Sequence, residues 1–280
     1  MSKKMAAVRR IYLDGIRDGQ YREAVEATRG DRHTQHSTIV RDGRDGFNEF
    51  FEGLIERNPT REIELVRMFE DGTYVFVHAD QSLNGGQDRW VTTDLFDTDD
   101  NDLLIEHWDV ISAFVDDTRS GRSQIDGPAE ITDLDRTDTN KELVRTLIDH
   151  VLIAGQDRPL SEFISTGHYA QHNPLVADGL DGFGTFLGEL ASQGEAMTYR
   201  KLHKLVGQGN FVATLCEMEL AGVPTAVFDI WRLEEGLIVE HWDNMEPIPP
   251  VDQWVNTGKF CTDPMLLIEP SKARTHAPPC

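Results

Sequence analysis

Apolar positions along the chain recur first at helical and then at strand spacing, and the same order is run through twice. Ala6, Ala7, Val8, Ile11, Tyr12 and Ile16 fall at helical spacing, as do Leu143, Val144, Leu147, Ile148 and Leu152, and each run stops at a Gly-Gln pair, Gly19-Gln20 and Gly155-Gln156. A second, short helix is predicted over 21–27 and its counterpart over 160–164, delivering His36 and His172 near its end. An Asp-Gly turn then leads into an amphipathic helix with Phe47, Phe50, Phe51 and Leu54 at i, i+3, i+4 and i+7, mirrored by Phe183, Phe186, Leu187 and Leu190. After that the period becomes two. Residues 63–69, 74–80, 90–96 and 103–110 read as strands, as do 199–206, 211–220, 225–233 and 237–242, with glycines at the turns. Helices followed by an antiparallel meander predict an α+β fold.

The duplication is also visible residue by residue. Glu106-His107-Trp108-Asp109 recurs as Glu240-His241-Trp242-Asp243, Gln35-His36 as Gln171-His172, and Asp45-Gly46-Phe47 as Asp181-Gly182-Phe183. The separation shortens slightly before the second tetrapeptide, which places a small deletion in a hairpin between Gln81 and Asp102. So long a period suits whole domains rather than a solenoid. The expected organisation is a first domain over 1–115, a solvated linker rich in Asp, Thr, Ser, Gly and Arg over 116–140, a second domain over 141–250, and a tail over 251–280 that packs in part and then frays.

Composition narrows the function classes. With 280 residues, 39% of them hydrophobic, the chain can bury two cores of ordinary size. No apolar run is long enough to span a bilayer and the first residues do not read as a signal peptide, so a cytoplasmic protein is expected. The formal charge of −22 argues against nucleic acid or an anionic membrane as partner; it suits solubility, and a salt-rich habitat would account for it too. Cys216, Cys261 and Cys280 lack disulfide or zinc spacing, and Cys216 alternates with apolar neighbours as a packing residue. No glycine-rich phosphate loop and no nucleophile elbow is present. His36, His78, Asp94 and His107 are the candidates for a metal, but without local ligand spacing no metal or other cofactor is expected.

Each copy resembles a SnoaL-like polyketide cyclase domain of the nuclear transport factor 2-like superfamily. The resemblance rests on Tyr169-Ala170-Gln171-His172-Asn173-Pro174, Asp178-Gly179, Val227-Phe228-Asp229-Ile230-Trp231-Arg232 and Gly236 through Asp243. It implies two tandem cones, each a curved antiparallel sheet around about three helices, with a pocket inside. It says little about reaction, since that superfamily includes cyclases, isomerases, dehydratases, epoxide hydrolases and proteins that only bind.

Strand parity nominates side chains for such a pocket. Phe76, His78 and Asp80 share one face of a strand, Trp90, Thr92, Asp94 and Phe96 another, and Ile105, His107 and Asp109 a third. The proposed acid/base groups are His78 with Asp94 in the first copy and His172 with Asp229 in the second; Asp94 and Asp229 match the strand acid that the resemblance implies is catalytic. Thr214 is read as standing in place of His78. Alternative roles are an arginine partner for each carboxylate, such as Arg89 or Arg232, and a helix-end bond for His36 and His172. His36, Trp90, Phe96, His107 and Asp109, with Tyr169, Trp231, His241 and Asp243, are the expected substrate contacts, although the repeated tetrapeptide reads chiefly as structural. The expected activity is cofactor-independent proton transfer on a small, hydrophobic, oxygenated molecule, of lyase, cyclase or isomerase type. Release of an aldehyde from an aromatic diol, dehydration, and binding without turnover are the alternatives. The two cones are expected to pair within the chain as a pseudo-dimer, itself able to form a higher homo-oligomer.

Overall fold

The structure, a computed structural model, describes residues 1–260. Helix α1 (Lys3–Arg10) starts at a Ser2 cap that accepts from the Met5 amide and runs on as a π-helical segment (Ile11–Arg17). Then come α2 (Tyr21–Thr28), β1 (Arg29–Gln35), α3 (Gly43–Arg57), and four long strands, β2 (Arg61–Asp71), β3 (Tyr74–Leu83), β4 (Asp88–Thr98) and β5 (Leu104–Ala113). The second half repeats this with α4 (Thr137–Thr146), a π-helical segment (Leu147–Ile153), a 3-10 turn (Leu160–Glu162), β6 (Ala170–Gln171), α5 (Gly179–Ser192), β7 (Met197–Gln208), β8 (Phe211–Leu220), β9 (Val223–Glu234) and β10 (Leu237–Pro247). The fold class is α+β, as expected. The strand orders, β1-β5-β4-β3-β2 and β6-β10-β9-β8-β7, correspond element for element.

One strand per sheet departs from the expected meander. β1 pairs with β5, and β6 with β10, in parallel, so Gln35 lies beside His107 and Gln171 beside His241. His36 and His172 therefore follow a strand rather than a helix end. The sequence of β1, Arg-Gly-Asp-Arg-His-Thr-Gln, has no apolar alternation because polar side chains fill its buried positions, among them Arg29, His33 and Gln35.

Each sheet curls around the helices of its own half. Val75, Val77 and Ala79 of β3 pack inward on Ile11, Tyr12, Phe47 and Phe51, while Cys216, Val227 and Trp231 pack on Leu147, Ile148 and Tyr169. The opposite faces of the two sheets meet in a third cluster that includes Phe69, Phe76, Leu95 and Trp108 from one and Phe211, Phe228, Ile230 and Trp242 from the other. Two cations cap it reciprocally: Arg67 lies 4.0 Å from the Trp242 ring and Lys204 4.1 Å from the Trp108 ring.

The segment after each sheet crosses to the other half. The connection after β5 gives its Arg119 amide to Pro174 O at 2.9 Å and its Ser123 carbonyl to His172. The stretch after β10 gives its Val255 amide to Thr38 O at 3.0 Å and its Gly258 carbonyl to His36. The connection is thus more than a solvated linker, since Arg67 bonds to its Ile125, Asp126 and Pro128 carbonyls. The expected fraying of the tail, with Cys261 and Cys280, lies outside the described residues.

The repeated Asp-Gly-Phe has a packing cause. A Cβ on Gly46 would sit 2.1 Å from Arg41 O, and one on Gly182 2.1 Å from Ala177 O, so the helix start rests on backbone that cannot swing aside. Gly46→Ala is expected to cost about 1–3 kcal/mol through overpacking, read by chemical unfolding; unchanged stability would contradict the close approach.

Candidate functional site

The first half encloses a cavity of about 450 Å³ and the second one of about 40 Å³. The larger is walled by apolar side chains of the helices, Ile11, Ile16, Phe47, Phe50, Phe51 and Leu54, and closed by Trp90, Thr92, Asp94, Phe96, His107, Asp109 and Ile111 from β4 and β5. Strand pairing explains the difference in size. Tyr199, opposite Met218, takes the register position that Ile63, opposite Gln81, holds in the first sheet; Trp231 takes that of Phe96, each lying across from the tetrapeptide histidine. Larger rings fill the second cone.

At the polar end of the first cavity, Asp94 and Asp109 face one another across β4 and β5. His107 Nε2 lies 2.9 Å from Asp94 Oδ1, and Asp94 Oδ2 is buried without a hydrogen-bond partner among the described residues. The Tyr12 hydroxyl, on the π-helical segment, stands beside Asp94 and Thr92; burial and then Asp94 push it well above the ordinary tyrosine value, so it is a neutral donor. Asp109 accepts from Lys259 Nζ at 3.0 Å and from Ser37. Burial pushes Asp109 up, but the Lys259 ammonium and His107 more than offset this and hold it below the ordinary carboxylate value.

A relay from β1 orients His107. Arg29 Nη1, which can only donate, lies 3.2 Å from His33 Nδ1, so the His33 proton sits on Nε2. Burial and then Arg29 keep that imidazole neutral, well below its ordinary value. The Gln35 amide lies between His33 Nε2 at 3.2 Å and His107 Nδ1 at 2.9 Å. As placed, Gln35 turns Nε2 to His33 and Oε1 to His107; because His33 Nε2 carries the proton, the donors require the amide turned over, so that it accepts from His33 and donates to His107. His107 is then free to donate from Nε2 to Asp94.

The second cone keeps the constellation with different supports. Asp229 is buried, its Oδ1 3.1 Å from His241 Nε2 and 3.0 Å from the Tyr199 hydroxyl, its Oδ2 3.3 Å from Thr214 Oγ1. The tyrosine now comes from a strand rather than a helix. Asp243 accepts from Asn173 Nδ2 at 2.7 Å, and Tyr169, Gln171, Trp231, His241 and Asp243 line the small cavity.

Several expected site residues are placed elsewhere. His78 lies on the Phe76 face of β3, turned toward the other sheet, with Nδ1 3.1 Å from Arg67 Nη1. Burial and then Arg67 hold it neutral, well below its ordinary value, and it lines neither cavity. Register also pairs Asp229 with Thr214 and Asp94 with Val77, so Thr214 stands for Val77 and not for His78. His36 and His172 are clasps on the tetrapeptide, outside both cavities: His36 bonds Glu106 at 2.9 Å and stacks on Trp108 at 4.9 Å, and His172 bonds Glu240 at 2.9 Å and stacks on Trp242 at 4.5 Å. Arg89 pairs with Asp80 and Arg232 with Glu240, leaving Asp94 and Asp229 without an arginine partner among the described residues. His78→Ala is accordingly expected to lower the melting temperature and leave turnover intact; a turnover loss in folded protein would return His78 to the site.

Of the expected contacts, Trp90, Phe96, His107 and Asp109 line the first cavity, beside Asp94. Gln35, Gln171, Tyr12, Tyr199 and Lys259 were missed. Parity along Gln35-His36 held the signal for the glutamines, because alternate residues of a strand point to opposite faces.

No protein-family model matches the chain, and no curated protein matches it. Solved structures similar to it include a candidate polyketide cyclase from Bacillus cereus ATCC 10987, 15% identical over 38% of this chain and 72% of that one, with a TM-score of 0.35. A candidate polyketide cyclase from Streptomyces antibioticus is 14% identical over 40% of this chain and 93% of that one, TM-score 0.35. A candidate isomerase of the SnoaL-like family from Agrobacterium tumefaciens is 13% identical over 40% of this chain and 99% of that one, TM-score 0.36. No helix of the described residues is long and apolar enough to cross a membrane.

Proposed function

We propose that the first half is a cofactor-independent acid/base enzyme acting on a small, hydrophobic, oxygenated molecule, and that the chain comprises two SnoaL-like domains, over 1–115 and 141–250, paired as an intramolecular pseudo-dimer. The observation that carries the reading is Asp94. One of its oxygens is held by His107 and the other is buried without a partner at the polar end of an apolar cavity of about 450 Å³. A carboxylate so placed is poised to take a proton from a hydroxyl or an acidic C–H of a bound molecule. His107 keeps it aligned, and the neutral Tyr12 hydroxyl beside it can donate to an oxygen that gains charge or return a proton to carbon.

The cavity suits a molecule with an aromatic or compact alicyclic body, since phenylalanine and aliphatic side chains form much of its wall, with Asp94, His107 and Asp109 grouped on β4 and β5 and a second polar set, Arg57, Asn58, Asn84 and Asp88, elsewhere along it. Lyase, cyclase and isomerase reactions use the same pair of steps, proton removal and proton return. Asp229 lies behind Tyr199 and His241 at a cavity of about 40 Å³, too small for such a body, so the second half supports the first rather than duplicating its turnover.

The test is a panel of small hydroxylated aromatic and polyketide-like compounds, screened for turnover with the wild-type chain, Asp94→Asn and Asp229→Asn. Asp94→Asn should lose activity and Asp229→Asn should retain most of it. Equal losses would contradict a single working site, and full activity of Asp94→Asn would remove the acid/base assignment.

A further inference from the structure

We infer that Asp229, His241 and Asp243 form a binding site for a divalent transition-metal ion in the second half, at a place where the first half uses the ammonium of Lys259. The two halves present the same electrostatic problem. Asp94 pairs directly with Asp109 across strands, and Asp229 with Asp243, so each sheet sets two inward carboxylates opposite one another. Facing like charges destabilise a sheet unless a cation lies between or beside them.

In the first half that cation is on the chain. Lys259, 3% exposed, reaches Asp109 and Glu246 from the segment that crosses over after β10. The crossing segment after β5 bonds its own clasp histidine through Ser123, and the next residue is Gln124, buried and neutral, where Lys259 follows Gly258. Among the described residues no lysine or arginine lines the second cavity.

Proton positions in the second half sharpen the contrast. The Asn173 amide donates to Gln171 Oε1 at 3.1 Å, which fixes that oxygen toward His241 Nδ1, 3.0 Å away. His241 therefore donates from Nδ1, and in the neutral ring its Nε2 lone pair is directed at Asp229 Oδ1. Metal-binding histidines are oriented in this way, one nitrogen donating to an oxygen and the other free to ligate. The donor atoms of Asp229, His241 and Asp243 lie within 4.8 Å of one another. The 3.1 Å between His241 Nε2 and Asp229 Oδ1 suits neighbouring ligands around an ion bound at about 2.1 Å. One imidazole and two carboxylates suit Zn²⁺, Mn²⁺, Fe²⁺ or Co²⁺, and among these Zn²⁺ binds more tightly than Mn²⁺.

The alternative cation is a proton, on His241 or on Asp243, and the experiment separates the two. Tag-free full-length chain is stripped with a chelator, exchanged into chelator-free buffer at neutral pH with enough salt to screen the acidic surface, and titrated with ZnCl₂ and with MnCl₂ by calorimetry and equilibrium dialysis. The expected result is one ion per chain, lost in His241→Ala and weakened on the order of ten- to a hundred-fold in Gln171→Leu, which alters only the support of the ligand. His107→Ala and Gln35→Leu should bind as the wild type does. Should His241→Ala not fold, Asp243→Asn serves in its place. Wild-type protein that binds no more Zn²⁺ than the second-half variants, or that loses binding equally in His107→Ala, would overturn the site and assign the charge to a proton. Because the readout is binding, its failure is separate from failure of the acid/base reading of the first half.

Discussion

Asp94→Asn is expected to lower turnover by about two to four orders of magnitude, the range for loss of a positioned general base, while the folded structure persists. The amide has the shape of the carboxylate, and its oxygen can still accept from His107 Nε2, now 2.9 Å from Asp94 Oδ1. What the variant lacks is a basic lone pair at the position of Oδ2, the oxygen left without a partner. The cavity and its apolar walls are untouched, so KM for a hydrophobic substrate should change far less than kcat. Circular dichroism and the melting temperature serve as controls. A loss below about tenfold in a folded variant would mean that another group accepts the proton.

Lys259→Met should be the most destabilising of the substitutions considered, by about 3–5 kcal/mol, because it removes one member of a buried ion pair and leaves the others uncompensated. Lys259 is buried between Asp109 Oδ1 at 3.0 Å and Glu246 Oε2 at 2.8 Å, so solvent screening does little to soften the loss. Burial pushes Lys259 down, yet the two carboxylates more than offset this and hold it above its ordinary value; Asp109 is held below its own. The sign of the pH dependence follows. The raised lysine contributes fully below its unfolded value, about 10, and that contribution is lost as pH rises through the folded value. The lowered aspartate contributes above its unfolded value, about 4, and that contribution is lost as pH falls through the folded value. Glu246, raised chiefly by burial, takes up its proton earlier than Asp109 as the solution is acidified, so the difference between variant and wild type narrows first on that side. Urea unfolding across this range should show a plateau around neutral pH. A difference near zero there would mean that the lysine carries no more than an exposed pair does.

The same residue shows the limit of reading this chain one segment at a time. Lys259 lies far from β4 and β5 in sequence, in a stretch that reads as a tail, and no periodicity ties it to Asp109. By contrast Asp94, Phe96, His107 and Asp109 are legible, because each stands on a strand whose alternation is plain and whose turn residues mark its ends. His78 stands on an equally legible strand, yet its face is not legible. Parity separates Phe76, His78 and Asp80 from Val75, Val77 and Ala79 but does not say which set faces the helices. On a strand buried on both sides, with sheet behind and helices in front, hydrophobicity cannot choose between them. Gln35 rather than His36 faces the cavity for a related reason: the strand before His36 lacks an apolar pattern, so nothing local marks which of the two neighbours points inward. The repeated tetrapeptide has a double use. Glu106 and Trp108 turn toward the clasp histidine, and His107 and Asp109 turn toward the cavity.

What the sequence by itself determined is the duplication, the order of elements in each half and the α+β class, because these follow from local spacing of apolar residues and from turn residues, which neighbours along the chain are enough to express. Tertiary structure alone decided which strand faces look inward, that each crossing segment completes the other half, and that one cone stays open while the other is filled. Those outcomes depend on volumes and charges brought together from distant positions, such as Tyr199 and Trp231 in one cone and Lys259 beside Asp109 in the other, and no local pattern encodes a meeting of that kind.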